Sequence, residues 1–248
     1  MKKFNELSLS KELISFPSIT PIDAGAIKFL SKKLKLLGFK CKILKFKDKN
    51  KISVPILNLY AKRGNQSPNF CYAGHTDVVP PGDYGDWTTN PFKPKIKNGY
   101  LIGRGANDMK SSIACFVSAV DKFLKKNPNF PGSISFLITG DEEGYAINGT
   151  KKVVDYLKKR REKIDFCIVG EPTNPKKLGE MIKIGRRGSL SGTLKIFGSQ
   201  GHIAYPHLSK NPITTLVKIC HNIKKKPLDK GNRTVSYTHL RAHETAMY

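Results

Sequence analysis

The chain has 248 residues, 39% of them hydrophobic and 25% charged, which suits a globular protein with a full core in one large domain or two smaller ones. Its formal charge of +25 comes mainly from lysine spread in short runs such as SKKLK, KKVVDYLKKRREK and IKKKP, which read as polar helix faces; without a recognition helix, zinc-finger spacing or aromatic RNP-like motif, this argues against a specific nucleic-acid binder. MKKFNELSLSKELISF lacks a signal-peptide core, no later stretch approaches a membrane span, and five scattered cysteines without a C-x-x-C pair predict reduced thiols and a cytoplasmic location.

Helical periodicity appears at 7–15 and at 22–37, where Ile22, Ala26, Ile27, Leu30, Leu34 and Leu37 recur at three and four and Gly38 stands as the cap. Extended runs follow at 40–46 and 53–61. Three apolar segments then have buried-strand character: NFCYAG (69–74), SISFLITG (133–140) and DFCIVG (165–170). Between them lie helical stretches at about 110–126 and 149–162. Strands alternating with helices predict an α/β architecture, a mixed sheet flanked by helices on both faces. Past residue 180 the pattern predicts a strand or two and a helix over about 211–226.

Each apolar strand ends on the same kind of chemistry. NFCYAG runs into His75-Thr76-Asp77, SISFLITG into Asp141-Glu142-Glu143, and DFCIVG into Glu171. Asp108 in GRGANDMK precedes the helix that begins near Lys110. In open α/β sheets, sites form at the carboxyl ends of strands, so these side chains converge on one edge. One histidine among carboxylates makes a metal site, with zinc as the default and cobalt or manganese compatible. His75 and Asp77 alternate on an extended strand and point the same way, so the Asp77 carboxylate is expected to accept the free imidazole N–H. Taken singly, Asp108 also suits a helix cap, Glu171 a strand end, Arg186 a surface basic pair with Arg187, and His202 and His207 a polar loop. The joint order is what carries the reading.

That order, carried by GHTDVVPPGDYGDWTTNPFKP, LIGRGANDMKSSIACFV, ITGDEEGYAINGTKKV, VGEPT and GRRGSLSGTLKIFGSQGHIAYPHLSKNPI, resembles the zinc-dependent aminoacylase/carboxypeptidase superfamily of co-catalytic metallohydrolases. The resemblance covers roughly residues 1 to 233. It implies a catalytic metal-binding domain over 1–179 and an inserted α+β lid and dimerisation domain, incomplete here, over 180–233. VPPGD and GRRGS…GHIAYPHL…NP point to a branch that hydrolyses a succinyl amide; deacylation of a related N-acyl amino acid such as acetylornithine is the alternative. The resemblance further implies two divalent metal ions held by His75, Asp108, Glu143 and Glu171, with Asp108 bridging. Glu142 is then the general base, Asp77 supports His75, and Asp141 is structural. Arg186 binds a substrate carboxylate, and His202 reaches the partner's site in a homodimer to stabilise the oxyanion.

From about Thr234, TVSYTHLRAHETAMY departs from the family and resembles translated adapter sequence. The family's last histidine ligand falls beyond residue 248 and is carried onto neither His239 nor His243. On this reading residues 234–248 are a non-native tail, and the chain is a truncated, inactive version of the enzyme.

Overall fold

In a computed structural model of the chain, residues 4–48, 54–185 and 192–225 are described. The chain divides into two compact units, Met1–Pro172 and Thr173–Tyr248.

In the first unit, helix α1 (Glu6–Ile14) starts where the Asn5 side chain accepts the Ser8 N–H at 2.9 Å, a capping contact worth about 1 kcal/mol. Helix α2 (Ala26–Leu36) begins later than the periodicity suggests. The Asp23 carboxylate accepts the N–H groups of Gly25 and Ile27 at 3.0 and 2.9 Å, which fixes the start and leaves Ile22 half exposed. Phe39 N–H returns to Leu34 C=O at 3.1 Å across Gly38, whose φ of 79° closes the helix as the sequence predicts.

Five strands make one sheet: β1 (Lys40–Phe46), β2 (Ile56–Gly64), β3 (Asn69–His75), β6 (Ser133–Thr139) and β7 (Phe166–Val169), in the order β1-β2-β6-β3-β7. The β1/β2 and β2/β6 pairs are antiparallel, whereas β6, β3 and β7 run parallel. The sheet is therefore mixed, as expected. Side chains alternate across it. Ile134, Phe136 and Ile138 of β6, with Leu59, Ala61 and Tyr72, face α1, α2 and helix α3 (Ser111–Lys126). Leu137, with Tyr60 and Cys71, faces Val153 and Leu157 of helix α4 (Thr150–Lys159) on the other side.

Two sequence expectations need correction. Segment 165–170 reads as a buried strand, yet all four residues of β7 are exposed, because among the described residues β7 is the last strand of the sheet and the apolar rows of α3 and α4 lie over β2, β3 and β6. A small hairpin, β4 (Lys95–Lys97) with β5 (Tyr100–Ile102), was not predicted. Its signal is Asn98-Gly99, both at positive φ (52° and 79°), the two-residue turn that matches strand twist.

In the second unit, Ser199 and Lys210 form an isolated bridge around a short turn, Pro206–Leu208, and helix α5 spans Pro212–Lys225. Among its described residues no regular strand forms in 180–210 and no apolar side chain is buried.

Candidate metal centre

Because β3, β6 and β7 are parallel, their carboxyl ends lie on one edge, and each end delivers an acid or a histidine. The β3 ladder continues past His75: Thr76 N–H donates to Thr139 C=O at 2.9 Å and the Ser18 hydroxyl to Thr76 C=O at 2.6 Å. His75, Thr76 and Asp77 are consequently buried to within 1% of complete. Past β6, the buried Asp141 carboxylate accepts the N–H groups of Ala146 and Asn148 at 3.2 and 2.9 Å. It closes that loop and leaves Glu142 and Glu143 to project. Asp108 sits in the connection between β5 and α3, at φ −121° and ψ 101°, outside helical geometry.

Around His75 the carboxylates gather. Its Nε2 is 3.1 Å from Asp108 Oδ1, 3.4 Å from Glu171 Oε1 and 4.0 Å from Glu142 Oε2. Two sets bring their ligand atoms within 4.8 Å of one another, His75 with Asp108 and Glu143, and His75 with Glu142 and Glu171. The four ligands the resemblance implies, His75, Asp108, Glu143 and Glu171, are thus divided between two overlapping groups that share the imidazole, and Glu142 joins the second. The imidazole floor is 1% exposed, while the Asp108 and Glu142 side chains are 46% and 43% exposed, so the carboxylate rim is open to a ligand from solvent.

Asp77 acts differently from its sequence role. His75 Nδ1 lies 2.9 Å from the Asp77 backbone C=O, and the Asp77 carboxylate is 3.7 Å away. That carboxylate instead accepts the N–H of Glu142 at 3.0 Å and of Glu143 at 3.0 Å. A sharp turn after β3 brings the carbonyl to the ring first, so the side chain is released to brace the Glu142-Glu143 turn. The tautomer is fixed either way. With Nδ1 donating to that carbonyl, Nε2 is the ring nitrogen turned towards the carboxylate oxygens.

The electrostatics call for a cation at that point. Burial opposes protonation of His75, but Glu171 and Asp77 outweigh it and push the imidazole up to about 9. Burial raises Glu142 and Glu143, His75 opposes the rise, and neighbouring carboxylates add to it. Asp77 is also raised by burial against the pull of His75. A divalent ion on Nε2 and the surrounding oxygens satisfies all of these groups at once, and the nitrogen-and-carboxylate donor set suits zinc, cobalt or manganese. The residues present therefore fit such an ion.

Lys110 escaped sequence reasoning. Lysines read there as solvated, but this one is fully buried, its Nζ donating to Phe16 C=O at 2.8 Å. Burial pulls it down to about 7 against the fields of Asp77 and Asp23. Its only sequence signal is its place directly after Asp108-Met109. Arg186 lies outside the described residues. His202 is exposed in the second unit, where Ala204 N–H donates to its Nδ1 at 3.1 Å.

A histidine whose Nε2 is turned to a ring of carboxylates, at the carboxyl edge of a mixed α/β sheet, makes a candidate metal centre of the kind metallohydrolases use. The model of peptidase family M20/M25/M40 matches residues 71–246, and the chain belongs to that family. It is 65% identical over 240 residues to a succinyl-diaminopimelate desuccinylase of Pelagibacter ubique, a match covering 97% of this chain and 62% of that protein. Among solved structures it is similar to human carnosine dipeptidase 1 (TM-score 0.59, 26% identity, 66% of this chain and 37% of that one). A family M20 metallo-carboxypeptidase of Sulfolobus solfataricus gives a TM-score of 0.56 at 26% identity, over 68% and 37% of the two chains. The chain thus spans about three fifths of the curated relative it matches.

Proposed function

We propose that the whole protein is a metal-dependent amide hydrolase that removes the succinyl group from N-succinyl-LL-2,6-diaminopimelate, releasing succinate and LL-2,6-diaminopimelate in the cytoplasm. The observation that carries this reading is His75 Nε2 facing Asp108 at 3.1 Å and Glu171 at 3.4 Å on the edge where three parallel strands end. The substrate rests on the 65% identity to the Pelagibacter desuccinylase.

His75, Asp108, Glu143 and Glu171 would hold two divalent ions, zinc by default, with Asp108 between them. Such ions lower the pKa of water and polarise a carbonyl oxygen. Glu142, raised by burial and half exposed on the rim, takes the proton of the attacking water and returns it to the leaving nitrogen. Asp77 orients both ends of the site, His75 through its carbonyl and the two glutamates through its carboxylate. Arg186 binds a substrate carboxylate, for which a bidentate guanidinium is the suited partner. Residues 180–233 act as lid and dimerisation segment, and His202 serves the site of the partner subunit. With Nδ1 accepting from Ala204, a neutral His202 carries its proton on Nε2 and can donate to the oxyanion.

The test separates base from ligand. In the whole protein, Glu142→Gln should keep its metal and lose at least about 10²–10⁴-fold in kcat, whereas Glu143→Gln should lose metal on dialysis. Metal loss on Glu142→Gln with retention on Glu143→Gln would reverse the two roles.

A further inference from the structure

The link between α1 and α2 touches three of the loops that carry candidate site residues. The Ser18 hydroxyl donates to Thr76 C=O at 2.6 Å, Val78 N–H to Ser18 C=O at 2.9 Å, and Thr20 N–H to Val78 C=O at 3.0 Å. These bonds lay residues 18–20 along the segment that follows His75. Phe16 C=O accepts the Lys110 ammonium at 2.8 Å, and Lys110 N–H closes the Asp108 loop on Gly105 C=O at 2.9 Å. On the third side Thr20 meets Gly144, at the end of the Glu142-Glu143 turn, so closely that a Cβ there would stand 2.6 Å from Thr20 Oγ1. Ser18, Thr76, Val78 and Lys110 are all buried, so their ties do not depend on what covers the rim.

Burying an ammonium is costly unless it is paired and hydrogen-bonded. The Lys110 ammonium meets one carbonyl, with the carboxylates of Asp77 and Asp23 in electrostatic reach. An apolar side chain of similar volume would serve stability at such a place as well or better. What the lysine adds is a directed bond, which fixes where the Asp108 loop stands against the segment of His75 and Asp77.

We propose that segment 16–20 is a clasp and that Lys110 and Ser18 are positioning residues, which set the loops of His75, Asp108 and Glu143 at the spacing a divalent cation requires. This role deepens the metal-dependent reading of the site and rests on it. Each residue acts through a backbone carbonyl, Lys110 through that of Phe16 on the Asp108 side and Ser18 through that of Thr76 on the His75 side.

Cobalt(II) titrated into the metal-free whole protein tests the clasp, because its visible absorption reports ligand geometry without turnover. Wild type should bind cobalt. In folded Lys110→Met the affinity should fall about 10–100-fold, the range for groups that orient metal ligands, with an altered absorption spectrum. Ser18→Ala should do the same to a smaller degree, about three- to tenfold, as one neutral hydrogen bond is lost. It changes no charge and little volume, so it decides the matter even where Lys110→Met is poorly folded. Coulomb's law alone predicts the opposite for Lys110→Met, since removing a buried positive charge tightens the hold on a cation. Urea midpoints measured alongside separate the clasp from plain stability. Wild-type cobalt affinity and spectrum in either folded variant, whatever the midpoint, or tighter binding in Lys110→Met, would overturn the assignment and leave the metal reading standing. A wild-type protein that takes up no cobalt would overturn both.

Discussion

Strands β6 and β7 flank β3 in the parallel part of the mixed sheet, and both are largely apolar, SISFLIT and FCIV. Their surroundings are opposite. Every residue of β6 is buried, with Phe136 wedged between Phe39 and Phe116 at ring-centroid distances of 5.3 Å each, whereas Phe166 is 62% and Val169 55% exposed. What holds β7 is therefore chiefly polar. It has the ladder to β3, and at its start the Asp165 carboxylate meets Asn69 N–H at 2.8 Å, the Ser67 hydroxyl at 2.9 Å and Lys163 Nζ at 2.6 Å. At its end Gly170 packs against Tyr72 and Ser112, whose hydroxyls are 2.8 Å apart. Two strands that deliver acids to the same centre are thus secured by different forces, one by packing and one by hydrogen bonds.

The largest effect should separate them outright. Phe136→Ala should cost about 3–5 kcal/mol of unfolding free energy, while Phe166→Ala should cost no more than about 0.5 kcal/mol, both read from urea midpoints. A loss at Phe166 close to that at Phe136 would show that β7 is covered in solution and break the comparison.

Gly170→Ala comes next. A Cβ there would collide with the Tyr72 hydroxyl and stand 2.5 Å from Ser112 Oγ, so the strand end must shift, at about 1–3 kcal/mol. Since Glu171 follows directly, zinc retention after dialysis should fall with stability. Unchanged retention would mean that Glu171 is positioned independently of the Gly170 contact.

The smallest effect is a pH dependence at the polar anchor. Lys163, then the Asn69 N–H and the Ser67 hydroxyl, hold Asp165 down from 3.8 to about 2. A carboxyl with a depressed folded pKa stabilises fully above its unfolded value and loses that stabilisation as pH falls through the folded one. The stability gap between wild type and Asp165→Asn should therefore be constant from neutral pH to about 4 and close towards about pH 2. A gap that persists at the acid end would place the anchor in packing and not in charge.

The sequence alone determined the alternation of strands and helices, the three apolar strand segments, and the acid or histidine at the end of each. These are legible because hydropathy period and local caps act over a few residues, as the Leu9/Leu13 and Leu30/Leu34 rows and Gly38 show. The tertiary structure alone decided which apolar strand is covered, since burial depends on what packs above a strand and not on its own side chains. It also decided that Asp77 uses its carbonyl for His75 and its carboxylate for Glu142 and Glu143, because the β3 turn and the β6 loop meet only in the folded chain. Lys110 is the sharpest case: one more lysine in a chain rich in them, it is recognisable as a buried cation only when α3 docks and sets it beside Asp77 and Asp23, where low dielectric makes its charge count.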